Sequence, residues 1–174
     1  RPSYPEELFD DLVSLSALEP GARVLEIGSA TGKATRPLLE RGYSVVCVEM
    51  GPQLAEKARG NLAGLPAEIH VSTFEEWESE PEAFKLVYAA TAWHWIDPAI
   101  RYPKAHRLLR PGRHLAFWSA THAFPADVDR FFADVTSGNR PAGVAVSLLT
   151  SAGEGADVNI SVTCKGRRAI HILA

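Results

Sequence analysis

The chain has 174 residues, of which 46% are hydrophobic and 22% are charged, and its formal net charge is −3. This length suits one α/β domain with a substantial core and is short for two, and the slightly acidic balance argues against a nucleic-acid partner. No apolar run approaches the ~20 residues of a membrane span and no signal peptide is visible, so we expect no membrane contact and a cytoplasmic location.

The chain has two cysteines, Cys47 in an apolar run and Cys164 near the end. Two such residues make neither a disulfide framework nor a metal site, so we expect a reducing compartment and no bound metal. The chain begins with Arg1 rather than methionine. We therefore expect a fragment or a trimmed chain that lacks an N-terminal element, and its oligomeric state stays open.

Helices and apolar strands alternate along the first two thirds of the chain, which predicts an α/β fold with a mostly parallel sheet. Beyond the glycine-containing unit described next, the spacing predicts a first helix from Pro5 to about Leu18, a helix over 51–62, strands over 67–72, 84–90 and 114–119, and a helix from Asp97–Pro98 to about Leu109.

The stretch from Arg23 to Glu49 is predicted to form a strand, a glycine turn, a helix and a second strand. The first strand carries Val24, Leu25 and Ile27, the turn is Gly28–Gly32, and the second strand is 43–48. Pro37 is tolerated only near a helix start, which predicts a helix over 33–41 beginning close to Thr31–Lys33.

This unit is suited to a nucleotide-like ligand, because ligands bind beyond the carboxyl ends of parallel strands. Glu49 stands 21 positions after Gly28, near the ~20 at which a carboxylate reaches ribose hydroxyls. A dinucleotide fingerprint also needs two further glycines, and Ala30 and Lys33 stand at those positions. An ordinary tight turn without a ligand is the alternative.

The loop Thr91–Asp97 contains two tryptophans around His94 and follows a predicted central strand. These rings either pack under the next helix or line the cleft at the strand ends. His94 is a candidate general base because the ordinary pKa of histidine is near neutral, although a purely structural role is the alternative.

The last part of the chain has a different character. Residues 126–135 are predicted to form a helix, and 136–157, rich in Gly, Ser, Ala and Pro, to form a loop. Two β-rich runs, 158–164 and 167–173, flank Lys165-Gly166 and predict a hairpin. We divide the chain into a domain over 1–135 and a C-terminal tail over 136–174.

Five phrases in order resemble the class I S-adenosylmethionine (SAM)-dependent methyltransferases, of the methyltransferase domain 11/25 type: RPSYP, VLEIGSATG, VVCVE, AATAWHWID and LLRPGRHLAFW. The resemblance implies a Rossmann-like, three-layer α/β/α fold whose sheet end is here shortened or replaced. It implies SAM as cofactor and a small molecule as methyl acceptor.

The resemblance also assigns site residues. It implies that Gly28–Gly32 (Gly28, Ser29, Ala30, Thr31, Gly32) wrap the methionine part of SAM, that Glu49 binds the ribose, and that Met50 packs on the adenine. Thr73 and Phe74 match the adenine-binding positions, and Tyr4 matches a lid residue. The cofactor-binding set also includes Glu26, Ala90 and Thr91.

Three departures from the family pattern leave alternatives open. Ala30 replaces a usual glycine, and Thr73 and Lys85 stand where acids are common. A degenerate, non-catalytic relative is therefore one alternative, and a nicotinamide-dependent oxidoreductase is another. The tail is either a shortened sheet end or unrelated sequence.

Overall fold

The computed structural model describes residues 4–119, 144–150, 160–164 and 169–173. Within these ranges the helices are α1 (Glu6–Leu15), α2 (Arg36–Glu40), α3 (Pro52–Asn61) and α4 (Pro98–Leu108), with a 3₁₀ turn over Trp93–Trp95. The strands are β1 (Arg23–Ile27), β2 (Ser44–Glu49), β3 (Ala67–Val71), β4 (Phe84–Ala90), β5 (Leu109–Ser119), β6 (Val144–Thr150), β7 (Ile160–Cys164) and β8 (Ala169–Leu173).

The strands form one sheet in the order β3-β2-β1-β4-β5-β8-β6-β7. The first five strands are all parallel, since β1 pairs with β2 and β4, β2 with β3, and β4 with β5. The chain moves outward from β1 to β3 and then returns to the other side of β1 with β4. The carboxyl ends of β1 and β4 therefore flank the switch point at which α/β sheets bind ligands.

Two hydrophobic clusters cover the two faces of the sheet. Alternate strand residues point to opposite faces, so Val24 packs with α1 and α2 whereas its neighbour Leu25 packs with α4. All residues of β2 after Ser44 are buried, as expected for a parallel strand covered on both sides. The predicted three-layer α/β/α fold is confirmed.

Two helices are shorter than predicted. The first helix ends at Leu15 rather than near Leu18, because Ala17 adopts a left-handed conformation with φ 46°. The helix predicted over 33–41 begins only at Arg36, so that Pro37 falls in its first turn, and residues 30–35 form consecutive turns.

The tail contains strands, but the predicted hairpin is wrong. β7 and β8 do not pair with each other: β7 is antiparallel to β6, while β8 is antiparallel to β5 and parallel to β6. β6 also lies inside the predicted loop over 136–157. β8 thereby extends the sheet beyond β5, although we expected the domain to end at residue 135. Residue 135 and the predicted helix over 126–135 lie outside the described residues.

Within the described ranges, no helix is both long enough and apolar enough to span a membrane. In the same ranges, no three His, Cys, Asp or Glu side chains are grouped so as to hold a metal ion.

Candidate functional site

A cavity of about 920 Å³ lies at the carboxyl ends of β1, β2, β3 and β4. Apart from Gly32, all the residues predicted to bind the cofactor line it: Tyr4, Glu26, Gly28, Ser29, Ala30, Thr31, Glu49, Met50, Thr73, Phe74, Ala90 and Thr91. The structure thus brings together residues from five separate parts of the sequence, at the switch point of the sheet.

The glycine turn after β1 forms the centre of the cavity wall. Gly28 has φ +70°, and its N–H donates to the Val48 carbonyl at 2.8 Å. A Cβ on Gly28 would lie 2.5 Å from the Ala92 Cβ, so this position requires glycine for space as well as for conformation. The neighbouring Ser29 is 3% exposed, and its hydroxyl has no hydrogen-bond partner among the described residues. A ligand in the cavity would give this buried hydroxyl a partner.

Glu49 is fixed at the end of β2 by two backbone amides. The N–H of Ala30 donates to its Oε2 at 2.8 Å, and the N–H of Gly51 donates to its Oε1 at 2.7 Å. Each carboxylate oxygen has about two acceptor positions, so both oxygens can accept a further hydrogen bond. The side chain is 5% exposed and lines the cavity, which makes it a preorganised acceptor for vicinal hydroxyls.

Glu26 is a second carboxyl in the cavity wall, and it is buried. Its Oε2 accepts hydrogen bonds from the Thr35 hydroxyl at 2.5 Å and the Tyr88 hydroxyl at 2.8 Å. Burial raises the pKa of Glu26 to about 7 against these two hydrogen bonds, which lower it, and the nearby Glu49 contributes to the rise. A cationic group of a ligand beside Glu26 would therefore favour its charged form.

Two non-glycine residues in the cavity wall adopt left-handed conformations. Ala30 has φ +49°, and the β-branched Thr91 has φ +60°. The Thr91 N–H donates to the Trp118 carbonyl at 2.6 Å, and its hydroxyl lies 3.3 Å from the Tyr4 hydroxyl. Such strain in L-residues is concentrated at ligand sites, and here it shapes the wall next to the glycine turn.

The adenine-binding prediction concerns the segment after β3. The Thr73 hydroxyl accepts from the Glu76 N–H and donates to the Glu76 carboxylate, both at 3.2 Å. Phe74 is 3% exposed and belongs to the core. Thr73 therefore uses its hydroxyl within its own turn, and Glu75 and Glu76 are the acidic residues of this segment that line the cavity.

Two predicted site residues do not line the cavity. Gly32 faces α3, where a Cβ would lie 2.9 Å from Leu62 Cδ1, so this glycine permits packing rather than ligand contact. His94 is exposed and lies on the 3₁₀ turn between the buried Trp93 and the cavity-lining Trp95. His94 does not line the cavity, and its ring lies beside the Trp95 indole with the two ring centroids 4.7 Å apart.

Several cavity-lining residues were not predicted as site residues: Leu54, Lys57 and Asn61 of α3, Lys33, and Glu75 and Glu76, which we had not assigned to a site. The spacing of 54, 57 and 61 places one helix face on the cavity, and this periodicity was a usable signal. Lys85, by contrast, is remote from the cavity and pairs with Glu19. Its departure from the family pattern therefore does not alter the wall.

A family model described as a methyltransferase domain matches residues 24–112, just over half of the chain. The chain is 41% identical over 116 residues to an uncharacterized methyltransferase of Mycobacterium tuberculosis, which covers 66% of this chain and 45% of that protein. It is 32% identical over 111 residues to a ubiquinone biosynthesis O-methyltransferase of Hahella chejuensis, covering 62% of this chain and 47% of that one. The chain thus spans about half the length of the curated relatives it matches.

The fold is also similar to a solved structure. The SAM-dependent methyltransferase from Mesorhizobium loti superposes with a TM-score of 0.55 and 21% identity, covering 67% of this chain and 56% of that one. At this identity the likeness concerns the fold alone. Together with the family match and the parallel order of β1 to β5, it shows that the chain belongs to the methyltransferase domain family and has the Rossmann-like fold of the class I SAM-dependent methyltransferases.

Proposed function

We propose that the cavity binds SAM and that the protein transfers its methyl group to a small-molecule acceptor. The observation that carries the proposal is Glu49, whose carboxylate is aimed at the cavity by the amides of Ala30 and Gly51. A ribose with two neighbouring hydroxyls is a natural donor to the remaining acceptor positions of both oxygens. The SAM-dependent enzymes among its family and fold neighbours support this choice of cofactor.

The remaining wall residues fit the other parts of SAM. Ser29 offers a buried hydroxyl without a partner, and Glu26 offers a carboxyl beside which an ammonium is stabilised. Met50 and Leu54 are 69% and 42% exposed, and a purine would cover them. The residues present therefore fit an amino-acid head, a ribose and a base.

A dinucleotide fits less well. The pyrophosphate of NAD approaches the backbone at the second glycine of its fingerprint, and Ala30 places a methyl group there. The exposed side chain of Lys33 occupies the position of the third glycine. We therefore favour SAM over NAD for this cavity.

Bound SAM supplies an electrophilic methyl group on a sulfonium. With SAM held by Glu49, Ser29 and Glu26, the acceptor would take the methyl group as the carbon–sulfur bond breaks, with that bond's electron pair staying on sulfur and the acceptor's proton passing to water. Such a transfer depends mainly on alignment of the acceptor with the methyl group. The contribution of this chain is then to hold the two reactants in line and to exclude water.

The test is calorimetric titration with S-adenosylhomocysteine (SAH), the demethylated product, with NAD as the control ligand. We expect SAH alone to bind. Glu49→Ala should weaken SAH binding by about 1.5–3 kcal/mol, because hydrogen bonds to a charged acceptor are lost. Glu56→Ala removes an exposed glutamate of α3 that pairs with Arg59, and it should leave SAH affinity unchanged.

Glu49 also holds two backbone amides, so the fold of the Glu49→Ala variant must be checked by circular dichroism. A folded variant with unchanged affinity would remove the ribose assignment. A folded wild-type protein that binds neither SAH nor NAD would point to a non-catalytic relative, whereas a preference for NAD would favour the oxidoreductase. If SAH binds, turnover of SAM with a screen of acceptors tests the transfer itself.

A further inference from the structure

Trp95 is the most exposed of the large hydrophobic side chains whose burial is described, with 78% of its surface open. It lines the cavity, whereas its turn partner Trp93 is 5% exposed. An indole is costly to leave in water, and Trp95 lies at a cavity mouth rather than on an open surface. A ligand that covers this ring would explain its position.

The turn that carries Trp95 is firmly anchored. Trp93 stacks on Phe117 with ring centroids 5.4 Å apart and meets Tyr102 edge-on at 5.3 Å. The Trp95 N–H donates to the Ala92 carbonyl at 3.0 Å, and the ring of His94 lies 4.7 Å from the indole. The backbone of Trp95 is thus held in place before any ligand arrives, which lowers the entropy cost of binding on its ring.

The wall that follows β4 carries no charged side chain among the residues lining the cavity, which are Ala90, Thr91, Ala92, Trp95 and Ile96. The two carboxyls that suit SAM, Glu26 and Glu49, belong to β1 and β2. The other charged residues that line the cavity are Lys33, Lys57, Glu75 and Glu76, and Glu75 borders this apolar, aromatic wall because its carboxylate accepts from the Asp97 N–H at 3.0 Å. The cavity volume of 920 Å³ is near the upper end of the ~300–1,000 Å³ typical of ligand sites and leaves room for an acceptor beside the cofactor.

We propose that Trp95 is the stacking platform for a flat, uncharged aromatic methyl acceptor, of which a phenol is the simplest example. This proposal rests on the proposed function and specifies its acceptor. A carboxylate or phosphate on the acceptor would lose its hydration against the uncharged wall without gaining a counter-charge there. A flat ring instead covers the exposed indole and needs no ionic partner.

The experiment uses the full chain saturated with SAH, so that only the acceptor part of the cavity is open. The probe is 2-naphthol, and 2-naphthoate presents the same ring system with a negative charge; both are titrated by calorimetry. The variants are Trp95→Ala and Trp95→Phe. Val71→Ala is the matched control, because Val71 is a 47% exposed hydrophobic residue of β3 that does not line the cavity.

We expect Trp95→Ala to weaken 2-naphthol binding by about tenfold or more, as loss of a stacking ring does elsewhere. Trp95→Phe should retain most of the affinity, and Val71→Ala should match the wild type. The wild type should bind 2-naphthoate at least about tenfold more weakly than 2-naphthol. In all variants SAH affinity and the thermal midpoint should stay close to the wild-type values.

Four results would overturn the proposal. Equal binding of 2-naphthol by wild type and Trp95→Ala would show that the ring is not the platform, and equal binding of 2-naphthoate would show that the acceptor need not be uncharged. A loss of SAH affinity in Trp95→Ala equal to the loss for 2-naphthol would assign Trp95 to the cofactor instead. Failure of the wild type to bind SAH would reject the proposed function and this inference with it. In the other results the wild type still binds SAH, so they reject the inference alone.

Discussion

Ala30 is an L-residue held in a left-handed conformation, at φ +49°, in the wall of the cavity. That conformation destabilises the folded state by roughly 1–2 kcal/mol, and glycine does not have this strain. Glycine instead lowers the free energy of unfolding by about 0.4–1 kcal/mol, because the unfolded chain gains conformational entropy. Ala30→Gly should therefore raise the free energy of unfolding by about 0.5–1 kcal/mol in urea denaturation. Removal of the methyl group should also tighten SAH binding in calorimetry.

Ala17 provides the control for Ala30, because it has nearly the same backbone angle, φ 46°, and does not line the cavity. Ala17→Gly should give a similar gain in stability and leave SAH affinity unchanged. If both variants changed SAH affinity alike, the effect of Ala30→Gly would come from overall stability and not from the cavity wall.

Glu26 makes the stability of the protein depend on pH. Its pKa is about 7 in the folded state against an ordinary 4.5, so between these values the folded protein binds more protons than the unfolded chain. The free energy of unfolding then falls as pH rises from 4.5 to 7, and above 7 the full loss, roughly 3 kcal/mol, is present. Glu26→Gln keeps an acceptor for Tyr88 and removes the titration.

Urea denaturation of the ligand-free protein at pH 5 and pH 8 measures this effect. Wild type should lose about 2 kcal/mol more than Glu26→Gln between the two pH values, because part of the full loss is already present at pH 5. Glu56→Gln, at an exposed glutamate of α3, should follow the wild type. Parallel pH trends for wild type and Glu26→Gln would mean that Glu26 does not carry a proton in the folded protein near pH 6.

At the scale of single residues, the spacing of the sequence predicted the central residues of the site. It did not predict which of the neighbouring residues line the cavity. Gly28 and Glu49 followed from the β-turn-α-β pattern, because that backbone fixes where both residues lie. The absence of His94 from the cavity lining and the packing of Gly32 on Leu62 depend on contacts between distant segments, which a single sequence does not reveal.

At the scale of elements, the turn after β1 and the turn after β4 are in direct contact. A Cβ at Gly28 would lie 2.5 Å from the Ala92 Cβ, and Gly28 also has φ +70°. Gly28→Ala should therefore cost the strain of a left-handed alanine plus roughly 1–3 kcal/mol of overpacking. Ala92→Gly in the same chain should remove the clash and recover that second part, as measured by a double-mutant cycle in urea.

Gly21→Ala separates strain from clash, since Gly21 has φ +75° and nothing within 4 Å of the added Cβ. It should be less destabilising than Gly28→Ala, and Ala92→Gly should not rescue it. Equal costs at the two glycines, without coupling to Ala92, would show that the two turns are further apart than the structure places them.

The strands β1 to β4 were predicted well, for a physical reason, whereas β5 begins at Leu109, five residues before the predicted start at 114. β4 extends over Phe84–Ala90 as predicted, because a strand buried on both faces requires a continuous apolar run. The start of α2 was misplaced because the polar residues before Arg36 permit either a helix or consecutive turns, and only packing selects between them.

At the scale of the whole molecule, the end of the sheet was the least predictable part. The runs around 160–164 and 169–173 are β-rich and close in sequence, which favoured a local hairpin. In the structure β6 lies between them, so pairing partners come from residues more distant along the chain. Local turn chemistry does not determine pairing when another strand can occupy the same edge.

The pairing of β8 with β5 gives a test of how the sheet ends. Leu115–Ser119 of β5 pair antiparallel with Ala169–Leu173 of β8, while the other edge of β5 pairs with β4. Removal of residues 169–174 should therefore expose every second amide of 115–119, those that point away from β4. Hydrogen exchange at these amides should become at least about tenfold faster, because they lose protected ladder bonds.

The amides of β1 are the internal control, since β2 and β4 still flank Arg23–Ile27 after the deletion. If the amides of β1 and β5 accelerated equally, the deletion would have lowered global stability rather than opened one edge. If neither changed, β8 would not protect β5 in solution, and the parallel strands alone would account for the stable sheet. Selective acceleration in β5, together with unchanged SAH affinity, would mean that the tail completes the sheet while β1 to β4 form the cofactor site.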